Sequence, residues 1–331
     1  MLIRTVFDSR ATSPKYVHHM ALLAASWHRH IRDKNERRFE VVTIGRASPH
    51  LRGFLETIGV RIVEAPPDPN DSVSRTSNTI VGALAEVGNE RVLLLDNDIA
   101  FLREPSWLDV VPDDTLAGTV AGHERVSSRQ WRIIEDELKL SPLARGWVSF
   151  QQERRALLEG GDAPPEIPLL YVNAGVLLMP RGSEFPLLWR QHVALIARLF
   201  EHRAERSPGV HGSCQAGLAT AIGAWGKFAL LPLSHNFRPA CFVLGKCRAD
   251  EVAILHMSSG YDMASDLSTS DRLREYWKTM IADPIESVRT RLTPAEYEER
   301  SESAHTCLRA LTRLCDEYRL DETVRRCVTS G

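Results

Sequence analysis

No apolar run in this chain approaches the roughly 20 residues needed to cross a bilayer, so no membrane span is expected. Its first ten residues, MLIRTVFDSR, lack a basic segment followed by an apolar one, and no export signal is visible. Neither sign of charge is in excess. With 41 Lys and Arg against 43 Asp and Glu the net charge is -2, so no broad basic field invites nucleic acid or anionic lipid. Cysteine is sparse. Cys214, Cys241, Cys247, Cys307, Cys315 and Cys327 form no C-x-x-C pair, which argues against a structural zinc site. Without an export signal, reduced thiols and a cytoplasmic location are expected. Internal repeats and low-complexity tracts are absent. What remains is an ordinary globular composition, 43% hydrophobic and 25% charged, in 331 residues, a length that suggests about two domains.

The first half of the chain alternates short apolar segments with amphipathic ones. LIRTVF, FEVVTIG, VRIVEA and RVLLL read as strands. Between them lie helical patterns: residues 14–31, a stretch with Ser48 as N-cap, Pro49 at the first position and Gly59 as the stop, and residues 72–87. This β-α-β-α order predicts an α/β fold with a mainly parallel sheet and helices on both faces. Ligands bind beyond the carboxyl ends of such strands. Asp8, after the first strand, and Asp96-Asn97-Asp98, after the fourth, are therefore expected on one rim. Later come a charged helix near residues 129–140, a strongly apolar strand LLYVNAGVLLMP, two helices, and short strands KFALLP and VAILHM. Polar and glycine residues inside an apolar strand mark either a bulge or the close approach of a ligand. A capping-box pattern, TPAE, opens a C-terminal helical stretch. His18, His19, His28 and His30 read as a solvated helix face.

Asp96 and Asp98 hold the strongest chemical signal. Two carboxylates one residue apart repel unless a proton, a basic partner or a metal ion offsets the charge. Three readings are open: a turn with a helix cap, the acid pair of a haloacid-dehalogenase-type phosphatase, or a divalent cation site. Mg²⁺ and Mn²⁺ favour oxygen ligands and commonly take one or two carboxylates plus substrate phosphates.

RVLLLDNDIAFL, LLYVNAGVLLMP, SCQAGLATAI and AILHMSSG occur in that order over roughly residues 1–280. Together they resemble glycosyltransferase family 8, the glycogenin and bacterial lipopolysaccharide galactosyltransferase type. The resemblance implies a GT-A fold: a Rossmann-like nucleotide-binding sheet with helices on both faces, here followed by a C-terminal helical appendage. It implies Mn²⁺ (or Mg²⁺) held by Asp96, Asp98 and His256, and a nucleotide-sugar donor, commonly a UDP-sugar. It implies donor-site roles for Asp8, Tyr16, Asp96, Asn173, Gly175 and Asn236, and a basic residue near the diphosphate at Arg75. Gln215 would stand beside the anomeric carbon, and Asn173 would line the reacting pocket. For Gln215 the plain alternative is a helix-surface glutamine, and for Arg75 a solvated loop arginine.

Two positions depart from the family pattern. Cys214 replaces an acidic residue, and MSSGYD follows His256 where the family carries a lysine for the diphosphate; Lys246 or Arg248 are the nearby substitutes. The resulting expectation is a metal-dependent hexosyltransferase acting with retention on an acceptor that is a small molecule, a glycan or a lipid-linked sugar. The alternative is a non-catalytic GT-A relative serving as a binding or scaffold protein. Residues 1–122 would form the nucleotide-sugar half, 123–285 the acceptor half, and 286–331 a helical segment. Within the long stretch 123–168, Trp131 and Trp147 are candidates for an acceptor-covering lid.

Overall fold

A computed structural model describes residues 1–9, 14–66, 80, 82–84, 89–121, 126–139, 150–160, 171–182, 184–201, 209–257 and 270–329. In chain order the principal elements are β1 (Leu2–Asp8), α1 (Pro14–His30), β2 (Arg38–Ile44), α2 (Pro49–Thr57), β3 (Arg61–Ala65), β4 (Val92–Leu95), β5 (Ile99–Phe101) and β6 (Leu116–Val120). They continue with α3 (Ser128–Leu138), α4 (Phe150–Glu159), β7 (Val172–Leu178), α5 (Phe185–Phe200), α6 (Gly209–Trp225), β8 (Phe228–Leu230), β9 (Ile254–His256), α7 (Ser270–Ile281), α8 (Pro294–Glu317) and α9 (Leu320–Thr329).

Seven strands form the main sheet in the order β3-β2-β1-β4-β7-β6-β8. The pairs β1–β2, β2–β3, β1–β4 and β6–β8 are parallel, whereas β7 pairs antiparallel with both β4 and β6. The sheet is thus mainly parallel, as the sequence predicts, with β7 reversed. This reversal sets the place of the long middle segment. β6 ends and β7 begins on the same rim, where Val120 pairs with Val172 and the Ala121 amide donates to the Tyr171 carbonyl at 2.7 Å. Residues between them are therefore an insertion on the rim that carries Asp8 and Asp96.

Alternation along each strand divides the core into two layers. Ile3, Phe7, Leu93, Leu95, Val176 and Leu178 face one side and pack against Met20, Leu23 and Trp27 of α1 and Leu51 and Leu55 of α2. Leu2, Val92, Leu94 and Leu177 face the other and pack against Trp189 of α5 and Leu218 and Ile222 of α6. The stop and cap signals read in the sequence are present. Ser48 accepts from the Leu51 amide, Pro49 opens α2 and Gly59 follows it at φ +79°, while Thr293 and Glu296 complete a capping box on α8.

α1 is buried on nearly all sides, because α7, α8 and α9 cover the flank that the sheet does not. Ala21, Leu22 and Ala25 pack with Leu273, Trp277, Leu311, Leu314 and Leu320. His18 and His19 are accordingly 0% and 1% exposed, and His18 Nε2 lies 3.7 Å from Asp321 of α9. The expected solvated histidine face is corrected here: only His28 and His30, at the end of the helix, are partly exposed. Among the described residues no helix is long and apolar enough to cross a membrane.

Candidate metal centre

A second, two-stranded sheet builds the site. β4 ends at Leu95, residues 96–98 form a bend, and β5 begins at Ile99 and pairs antiparallel with β9. Ile99 stands opposite His256 in that register, and the Met257 amide donates to the Asp98 carbonyl at 2.8 Å. The imidazole is thereby carried to the two carboxylates across the whole intervening chain. Asp96 and Asp98 do not sit side by side on a strand, as simple alternation suggests. The bend turns both toward His256, whose Nε2 lies 3.3 Å from Asp98 Oδ1 and 3.8 Å from Asp96 Oδ2. One ligand atom from each of the three residues lies within 4.8 Å of the other two. His256 is 2% exposed, whereas the Asp96 and Asp98 side chains are 37% and 23% exposed, so the group opens outward through its carboxylates.

The asparagine and glycine of the apolar strand are built into this group. Asp96 donates its backbone N–H to the Gly175 carbonyl at 2.9 Å, locking the bend to β7. A Cβ on Gly175 would stand 2.3 Å from His256 Cε1 and 2.8 Å from both His256 Nδ1 and Asn173 Oδ1. Glycine is required there by close approach of the imidazole. Behind the ring, His256 Nδ1 lies 2.7 Å from Asn236 Oδ1, Asn236 Nδ2 donates to Asn173 Oδ1 at 2.8 Å, and the Gly175 amide donates to the same oxygen at 2.9 Å.

Charge is distributed unevenly across the site. Desolvation in the recess and the neighbouring Asp98 push the Asp96 carboxyl up to about 6, against the pull of His256 and Arg238. Desolvation also acts upward on Asp98. There the His256 charge, its hydrogen bond and His19 outweigh it and hold the carboxyl down at about 2. The two carboxyls titrate as one system. Two carboxylates and an imidazole that converge in this way can hold a cation between them. Two carboxylate oxygens and one imidazole nitrogen are a donor set that suits a divalent cation.

No protein-family profile and no curated relative matches the chain. Three similar solved structures are remote. The galactosyltransferase LgtC, in complex with donor and acceptor sugar analogues, is 15% identical over 91% of this chain and 100% of its own, with a TM-score of 0.44. Mouse xyloside xylosyltransferase 1 is 13% identical over 79% of this chain and 98% of its own, with a TM-score of 0.47. The glycosyltransferase GlyE of Streptococcus pneumoniae TIGR4 is 15% identical over 87% of this chain and 62% of its own, also with a TM-score of 0.47. At such distances function rests on the site itself.

Asp8 ends β1 on the same rim as Asp96, in parallel register. Tyr16, in the first turn of α1, is half-buried against the apolar layer under the sheet. Gln215, on α6, uses its amide oxygen to accept from the Tyr171 hydroxyl at 2.7 Å. Arg75 and Trp147 lie outside the described residues. Cys214 is 1% exposed and packs among Trp189, Leu218 and Ile222, so the residue at this departure from the family pattern faces the core. The suggested diphosphate cations are held in other pairs: Lys246 with Glu153 at 2.9 Å, Arg248 with Asp250 at 3.1 Å. Trp131 is 5% exposed and packs edge-on against Tyr171, with ring centroids 6.1 Å apart. It is a core residue rather than part of a lid.

Three residues near the carboxylates escaped the sequence reading. Lys15 and His19 lie four apart on α1, whose first turns stand over the rim, and Arg238 follows Asn236. Each couples electrostatically to Asp98, and Arg238 couples to Asp96 as well. Burial lowers the Lys15 ammonium below its ordinary value, and its Nζ lies 5.5 Å from the Tyr276 ring centroid. The i, i+4 spacing of Lys15 and His19 in the helix after β1 was the available signal, since that helix must begin at the rim.

Proposed function

We propose that this protein is a metal-dependent glycosyltransferase that moves a hexose from a UDP-sugar to an acceptor, with retention of configuration. One observation carries the reading: Asp96, Asp98 and His256 converge at the carboxyl rim of a mainly parallel sheet. That is where an α/β sheet binds nucleotides, and the ordered motifs resembling family 8 supply the substrate class. The retaining outcome and the UDP-hexose donor rest on that resemblance.

In this reading Asp96, Asp98 and His256 hold Mn²⁺, which when bound acts as a Lewis acid toward the diphosphate leaving group. The remaining work belongs to the chain. Lys15 and Arg238, both coupled to Asp98, would supply the positive charge that the missing family lysine does not, and so offset the charge that develops on the β-phosphate. Asp8, which ends β1 on that rim, and Tyr16, in the first turn of α1, would meet the base and ribose, as the resemblance implies. Gln215, held by the Tyr171 hydroxyl, would orient the donor sugar, as the resemblance implies. The insertion after β6 supplies the acceptor side.

Calorimetry with UDP, in the presence and absence of Mn²⁺, tests the donor site, and hydrolysis of a UDP-sugar without acceptor tests chemistry. Metal-dependent UDP binding with turnover supports the enzyme. Binding without turnover under any donor favours the scaffold alternative. In the Asp98→Asn variant, wild-type turnover with an intact fold would sink the metal reading.

A further inference from the structure

The bonds behind His256 assign its proton. The Gly175 N–H is a backbone donor, so the Asn173 atom it meets at 2.9 Å is the amide oxygen. That same oxygen lies 2.8 Å from the Asn236 amide, so Asn236 must present its NH₂ there. Its own oxygen then faces His256 Nδ1 at 2.7 Å. An oxygen acceptor at that distance requires a hydrogen on Nδ1. In the neutral ring Nε2 is left with its lone pair, directed at the gap shared with Asp98 and Asp96. The opposite tautomer would set two lone pairs against each other at 2.7 Å, a closer approach than the 3.3 Å between Nε2 and Asp98 Oδ1. The chain of assignments starts from a backbone amide, so no side-chain flip can reverse it without losing a bond.

We propose that Asn236 is a positioning residue. Held by Asn173 and Gly175, it fixes the His256 tautomer that leaves Nε2 free to bind a divalent cation. The inference rests on the metal-centre reading above and gives the strand asparagine a different task. Asn173 Oδ1 is occupied in orienting Asn236 and does not stand free for the donor sugar. Asn236 is 2% exposed, and a buried amide whose oxygen and nitrogen are both bonded holds its partner more firmly than one facing solvent. Outer partners of this kind orient a ligand ring and commonly alter metal affinity by about 10–100-fold when removed.

The tautomer can be read without metal. Long-range ¹H–¹⁵N correlation spectra of the full chain in EDTA report which ring nitrogen is protonated. A His256→Gln spectrum identifies the signal among the 12 histidines. The expected result is an Nδ1–H tautomer in the wild type and in Asn236→Asp, which keeps the oxygen facing Nδ1 although it loses the donor to Asn173 Oδ1, with a shift toward Nε2–H in Asn236→Ala. Mn²⁺ calorimetry on the same proteins should show Asn236→Ala weaker by about 10–100-fold and Asn236→Asp within a few-fold of wild type. An Nε2–H tautomer in the wild type overturns the proposal, as does Asn236→Ala with unchanged tautomer and unchanged affinity. A wild type that shows Nδ1–H yet binds no Mn²⁺ supports the relay and overturns the metal reading. If Asn236→Ala does not fold, the wild type and Asn236→Asp still decide the point.

Discussion

Gly175→Ala is the smallest change that should dismantle the metal centre. The added Cβ meets His256 Cε1 at 2.3 Å, whereas carbon atoms settle at about 3.5–4.0 Å. The ring must therefore retreat by about 1.2–1.7 Å, or β7 must shift and take the Asp96 amide bond with it. A metal site tolerates ligand displacements of only about 0.2 Å, so Nε2 leaves coordination range. The Nδ1 contact to Asn236, now 2.7 Å, breaks in the same movement. Overpacking of this kind costs about 1–3 kcal/mol of stability, so the protein should still fold. Mn²⁺ affinity should fall at least 10–100-fold, which is about 1.4–2.8 kcal/mol of binding. The assay is Mn²⁺ calorimetry beside thermal unfolding. Gly53→Ala is the control: its Cβ meets nothing within 4 Å, and in α2 it should stabilise by about 0.5–1 kcal/mol with metal affinity unchanged. A folded Gly175→Ala protein with wild-type Mn²⁺ affinity would refute the reasoning, because His256 could not then be a ligand in the position described.

Gln215→Ala should lower kcat far more than donor affinity if the residue acts at the reacting carbon, and a loss confined to KM would restrict it to binding. Trp131→Ala should cost about 3–5 kcal/mol of stability with transfer and donor hydrolysis falling together; a selective loss of transfer at unchanged Tm would restore the lid. Burial holds the His19 imidazole down at about 4, below the unfolded value of about 6.5. The unfolded chain thus binds more protons between those values, and His19 subtracts stability as pH falls through that window, by about 3 kcal/mol in full. Asp96, raised to about 6, acts with the opposite sign over much of the same range. The measurement is therefore the stability difference between wild type and His19→Gln in EDTA, which should move in favour of the variant from pH 7 to 4; a flat difference would show that His19 is not held neutral.

The strands were legible because a buried parallel strand reads as an unbroken apolar run and its helices carry their own caps. Ser48, Pro49, Gly59 and the Thr293–Glu296 box needed only local geometry. The three donor residues were legible through the resemblance of motifs, though not through spacing, since what joins His256 to Asp98 is a strand register between β5 and β9. Reversal of β7 was hidden, because an apolar run does not record its direction. The burial of His18 and His19 was hidden as well. Eleven consecutive residues from Val17 to Trp27 are buried, but the helices that cover them are encoded far along the chain. The use of Asn173 was hidden for the same reason, its partner Asn236 being supplied by a turn 63 residues away.

That covering of α1 has a consequence for how the protein is made. The helix leaves the ribosome before most of the elements that cover it, with Val17 to Trp27 ready to be buried on every side. Its sheet partners arrive early, but Leu311, Leu314, Leu320 and Val324 follow about 300 residues later. At about 5–20 residues per second, α1 waits on the order of 15–60 s with its outer flank bare. The rim that carries Lys15 and His19 is therefore among the first parts of the site to be synthesised and among the last to be secured. Nascent chains stalled before α8 should present that flank to holding chaperones, and chains extended past α9 should release them.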